Sequence, residues 1–129
     1  MHKIVLALLM STFTLIQGTN AATVTPLLTE ALPPILANQE VVMLTVAYEP
    51  GEASTPHRHN AHTFVYVLEG EIGMQVEGGD EVALSAGGIF HELPADVHTV
   101  SRNRSNTQPA KFLVFLVKEV GAPTTVPLP

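Results

Sequence analysis

The sequence predicts an all-β domain of the sandwich or small-barrel type, and three observations carry that reading. Short segments rich in β-branched and aromatic residues follow one another at intervals of roughly 8–12 residues. Turn residues separate them: Glu49-Pro50-Gly51, Glu69-Gly70, Gly78-Gly79, Gly87-Gly88 and Pro94-Ala95-Asp96. No segment sustains the 3.6-residue period of an amphipathic helix. A chain of 129 residues with no Trp, no Cys, ten Pro and nine Gly suits one compact domain of strands and turns.

Residues 1–21 read as an address rather than as structure. Lys3 opens a short charged region, an apolar run extends from Ile4 to Ile16, and Thr19-Asn20-Ala21 offers a small-residue cleavage site. The run is short of the roughly 20 residues that span a bilayer. A secretory signal cut after Ala21 or Ala22 is expected, with a periplasmic or secreted product and no membrane association after cleavage. In a eukaryotic source, Asn103-Arg104-Ser105 would become a glycosylation candidate. Residues 22–39 contain Pro26, Pro33 and Pro34, which exclude a long helix and suggest an extended arm.

The barrel is expected over residues 40–118. Its strands are VVMLTVAY (41–48), HTFVYVL (62–68), EIGMQVE (71–77), DEVALS (80–85), GIFHEL (88–93), VHTVS (97–101) and AKFLVFLV (110–117). Residues 119–129, ending GAPTTVPLP, form a Pro-rich tail with little reason to be regular. Charge narrows the partners: 6 Lys and Arg against 12 Asp and Glu leave no basic surface for a phosphate backbone, so nucleic acid is excluded. Without cysteine no disulfide forms, and burial, aided by association, must hold the fold.

The chemistry concentrates in HRHNAHTFVYVLEGE (57–71), which opens an apolar strand with His57, His59 and His62. Side chains alternate along a strand, so His57 and His59 point to one side, with Thr63, Val65 and Val67 continuing it. Two imidazoles at i and i+2 on an inner face can chelate one ion through metal–nitrogen bonds of about 2.0–2.1 Å. His98, after the Pro94-Ala95-Asp96 turn, is the candidate third ligand.

These residues give the chain a resemblance to small single-domain cupins. The family's first motif runs Gly, five residues, H-x-H, three or four residues, Glu, six residues, Gly. Here Gly51-EASTP-His57-Arg58-His59-NAH-Thr63-FVYVLE-Gly70 matches it everywhere except at the Glu. The second motif is weaker, with Gly79 as its first glycine, Ala86 in place of a Pro beside Gly87, His98 in the histidine position and Asn103 one residue beyond the usual Asn. The resemblance implies a jelly-roll barrel and one divalent transition metal ion, Fe, Mn, Zn, Ni or Cu, held by His57, His59 and His98. Thr63 stands where the family's carboxylate ligand would be, which leaves the ion's charge less compensated and more of its positions open.

Glu92 is the candidate catalytic residue, a general acid/base or a late carboxylate ligand beside the ion; its bland alternative is a solvated carboxylate at a strand end. Either His91 or Glu92 must face inward. His62, of opposite parity to His59, is expected outside. HELPADVH is no metalloprotease signature, because H-E-x-x-H needs a second His where Ala95 follows a Pro. The outward set Phe64, Tyr66 and Leu68 needs a cover, either the arm or the partner in a homodimer. The functional expectation is an exported metal-dependent enzyme, dioxygenase-like, acting on a small organic molecule. The alternatives are a periplasmic module that binds a small ligand or the metal without catalysis, and a jelly roll with vestigial histidines.

Overall fold

A computed structural model describes residues 22–31 and 36–129 of the chain. The expected leader therefore lies outside the described residues. Among the described residues ten strands run in order: β1 Thr23–Ala31, β2 Gln39–Tyr48, β3 His57–Arg58, β4 His62–Glu69, β5 Glu71–Val76, β6 Val82–Ser85, β7 Ile89–Glu92, β8 His98–Asn103, β9 Ala110–Glu119 and β10 Val126–Pro127. They form two five-stranded antiparallel sheets, ordered β1-β2-β9-β4-β7 and β10-β3-β8-β5-β6. This is the double-stranded β-helix, or jelly roll, and no helix among the described residues is long and apolar enough to cross a membrane.

Period-two patterning builds the interior. On β9 the buried positions are Ala110, Phe112, Val114, Leu116 and Lys118, and on β4 they are Thr63, Val65 and Val67. Val42, Leu44 and Tyr48 from β2 and Ile72 and Met74 from β5 complete the core. Each such aliphatic or aromatic side chain contributes about 1.5–3 kcal/mol on burial. Lys118 is tolerated inside because its Nζ reaches Glu40 Oε1 at 2.5 Å and the Glu119 carbonyl at 2.9 Å. Gly70 closes the β4–β5 hairpin at φ 74°, where a Cβ would lie 2.5 Å from the Pro109 carbonyl oxygen.

Three sequence expectations change here. Residues 57–63 are not one extended strand: Asn60, at φ 51°, breaks the run, so His57 lies on β3 of one sheet and Thr63 on β4 of the other. Both still face the interior, because the turn swings the chain from one wall of the barrel to the facing one. The tail is not irregular throughout, since β10 pairs with β3 through Val126↔Arg58 and Pro127↔His57. The arm, as β1, pairs with β2, with its register shifted between Pro26 and Leu28, as befits a proline on an edge strand. That edge is the far one from β4 and β7, so the described arm leaves Phe64, Tyr66 and Leu68 uncovered, at 43%, 48% and 41% exposure.

Candidate metal centre

The ladder between β3 and β8 sets His57 directly opposite His98. His59 follows two residues later, and the three rings converge, with centroids 4.8 Å (His57–His59), 5.0 Å (His57–His98) and 6.0 Å (His59–His98) apart. One ring nitrogen from each lies within 4.8 Å of the others. The structure thus brings together the three histidines that the sequence singles out.

Backbone carbonyls fix two of the tautomers. His57 Nδ1 lies 2.7 Å from the Thr55 carbonyl oxygen and His59 Nδ1 lies 2.6 Å from that of Thr124. A carbonyl only accepts, so each Nδ1 carries the hydrogen and each Nε2 keeps a lone pair. Those Nε2 atoms stand 3.2 Å apart. Two nitrogens bound at about 2.0–2.1 Å to one ion are separated by about 2.9–3.4 Å for angles from square to tetrahedral. The spacing therefore matches one edge of a coordination shell.

Electrostatics keep His59 and His98 neutral. Burial, reinforced by His57 and His59, pushes His98 down to about 3, and burial followed by the neighbouring His57 lowers His59 as well. Neither nitrogen of the buried His98 has a hydrogen-bond partner among the described residues. An orphaned buried polar group costs about 1–3 kcal/mol. A metal ion bound by a neutral imidazole removes that cost at His98 and the lone-pair repulsion between His57 and His59, so the donor set fits the group the fold implies.

Glu92 joins them from the other sheet. It is 2% exposed, which overturns the reading of a solvated strand-end carboxylate. Its Oε2 lies 3.3 Å from His98 Nδ1 and its Oε1 3.8 Å from His59 Nε2, and Oε1 has no hydrogen-bond partner among the described residues. Burial, with a smaller contribution from Asp96, pushes its carboxyl up to about 7. His91 therefore takes the outward place. There it meets His62, Nδ1 to Nε2 at 3.4 Å, and stacks on Phe64 at 4.5 Å, well outside the cavity. Asn103 is structural: its amide donates to the Glu49 and Gln108 carbonyls and accepts from Ser105 N. At 3% exposure it is also no glycosylation acceptor in the folded protein.

The cluster sits in a cavity of about 440 Å³ between the sheets. Leu44, Val65, Met74, Phe112, Val114 and Leu116 make its walls apolar. Tyr48 adds a polar wall, its hydroxyl bonded to Ser54 Oγ at 2.6 Å and Ser101 Oγ at 2.8 Å. Ala22 and Val24 from the arm and Thr124 and Thr125 from the tail also line the cavity. Sequence reading missed the carbonyls of Thr55 and Thr124, because a main-chain acceptor leaves no residue-type signal. It also passed over Tyr48, which the alternation along β2 places inward with Val42 and Leu44.

A family model described as "Cupin domain" matches residues 44–116. Solved structures with the same fold include the DMSP lyase DddQ from Ruegeria pomeroyi DSS-3, 20% identical with a TM-score of 0.58 over 64% of this chain and 41% of that one. An oxalate oxidase in complex with glycolate is 23% identical, with a TM-score of 0.60 over 78% of this chain and 52% of that one. The Cupin_2 domain of an XRE family transcriptional regulator from Enterobacter cloacae is 24% identical, with a TM-score of 0.56 over 74% of this chain and 95% of that one. The chain thus spans about half the length of the two enzymes. No curated protein matches the chain by sequence.

Proposed function

The chain belongs to the cupin family, and on that premise we propose that it is an exported metal-dependent enzyme that oxidises a small, largely apolar organic molecule in a dioxygenase-like reaction. The observation that carries the proposal is the convergence of three imidazoles, two of them locked by backbone carbonyls, in an apolar cavity of ligand size. When bound, a divalent ion there would supply Lewis-acid and redox chemistry and hold substrate and co-substrate at short range.

The chain's own residues do the rest. His57, His59 and His98 hold the ion as neutral donors. The apolar walls exclude water and accept the body of the substrate. The Tyr48 hydroxyl, buried and raised in pKa first by desolvation, stays protonated and adds a polar group to the cavity wall. An oxalate oxidase and a DMSP lyase among the fold's neighbours act on small organic molecules, in keeping with a substrate of that size. Export follows from the leader-like residues 1–21.

Anaerobic purification, metal analysis and oxygen-uptake assays over a panel of phenolic and dicarbonyl compounds test the proposal. Uptake that needs both the metal and a panel compound supports it. Tight retention of a panel compound without oxygen uptake would instead identify a binding module.

A further inference from the structure

Position 63, where the family's first motif carries its carboxylate ligand, is Thr63 in this chain. The β4–β7 ladder places Glu92 directly across from it, in the register Thr63↔Glu92. Both side chains are buried, at 1% and 2% exposure, and both line the same cavity. Residues opposed in an antiparallel ladder have Cβ atoms about 4.5–5.5 Å apart, so a longer side chain on one strand can reach the space served by its partner. Glu92 is the only acidic residue lining the cavity among the described residues.

We infer that Glu92 is the fourth protein ligand of the metal centre, the carboxylate having moved across the ladder from position 63 to β7. The inference rests on the three-histidine reading above. Three observations favour it. The carboxylate lies between the Nε2 of His59, the atom that its Thr124 bond leaves free to coordinate, and the ring of His98. Its Oε1 is buried without any partner among the described residues, so a donor or a cation is still owed to it. No Lys or Arg pairs with it among the described residues, and its ionic neighbours within 4 Å are histidines alone. Thr63 is left with a weak donation to the Ala61 carbonyl at 3.4 Å and occupies little of the space. A three-histidine, one-carboxylate set offsets part of the ion's charge inside an apolar cavity, where an uncompensated charge is costly.

Metal dissociation constants, measured by chelator competition with Zn(II) or Mn(II) on folded protein, decide the matter. Glu92→Gln keeps shape and hydrogen-bonding capacity but removes the anionic ligand, and it should weaken binding by about 100-fold, the upper end of what loss of an outer-shell partner does. The double variant Thr63→Glu/Glu92→Gln returns a carboxylate to the opposing position and should recover most of that loss. Glu92→Ala offers a second route: the space it leaves should take up added formate, and metal affinity should rise with formate concentration. If Glu92→Gln binds metal as the wild type does, Glu92 is not a ligand. If it binds weakly but neither the swap nor formate restores affinity, Glu92 acts by orienting His98, and the inference fails while the three-histidine centre stands. Wild-type protein that binds no metal would overturn both.

Discussion

His59 donates from Nδ1 to the carbonyl oxygen of Thr124, 65 residues later in the chain, at 2.6 Å. The tail is thus part of the site: it fixes the tautomer and the aim of a metal-binding ring, and β10 holds the tail in place on β3. Removing residues 122–129 should lower metal affinity by about 10–100-fold, the usual effect of losing an outer-shell partner. Isothermal titration of the truncated and full chains checks this. Equal affinities would mean that the bond orients nothing of consequence.

The histidines divide into two groups with different expected behaviour. His57→Ala and His98→Ala should each remove most of the metal, because too few donors remain for a stable shell. His62→Ala should leave metal content unchanged, since that ring sits outside with His91. Metal-to-protein ratios of the three variants after dialysis give the answer.

The metal-free protein should carry a pH signature of Glu92. Its carboxyl is pushed up to about 7 from an ordinary 4.5, so the folded state keeps a proton that the unfolded chain has already lost. Over that window stability falls as pH rises, by at most about 1.4 kcal/mol per pH unit from this residue. His98, pushed down to about 3, acts in the opposite sense: it is neutral when folded and protonated when unfolded, so its contribution is lost as pH falls below about 6.5. Glu92→Gln removes only the first effect. Urea unfolding of metal-free protein should therefore show the variant gaining on the wild type between pH 4.5 and 7. Saturating metal should abolish that trend, because the cation holds Glu92 ionised.

The outer face of β4 and β7 should mediate self-association. Phe64, Tyr66, Ile89, Leu113 and Phe115 line an apolar groove, with Ile89 73% exposed and nothing in the described chain covering it. A homodimer through this face is the expected state. Sedimentation of the wild type and of Tyr66→Glu at tens of micromolar tests it. A wild type that stays monomeric contradicts the expectation, as does a variant that dimerises equally well.

Much of this was legible in the sequence, for reasons that particular residues make plain. Alternation in runs such as HTFVYVL (62–68) is read directly as strand and face, and the H-x-H spacing with His98 after a turn sufficed to name three converging rings. Glu92 was harder, because its significance lies in the register Thr63↔Glu92, a pairing between strands about 30 residues apart that no local pattern encodes. The part played by Thr124 was hidden for a related reason. It acts through a carbonyl that every residue possesses, and its place depends on a two-residue strand, Val126–Pro127, in a stretch whose prolines suggest irregular chain.

The most direct test of the central claim is the metal content of the wild-type protein, purified anaerobically from its native host and measured by elemental analysis. One transition metal ion per chain, lost on His98→Ala and retained on His62→Ala, is the expected result. Protein that comes out metal-free, and that takes up none of Fe(II), Mn(II), Zn(II), Ni(II) or Cu(II) offered in excess, would contradict it.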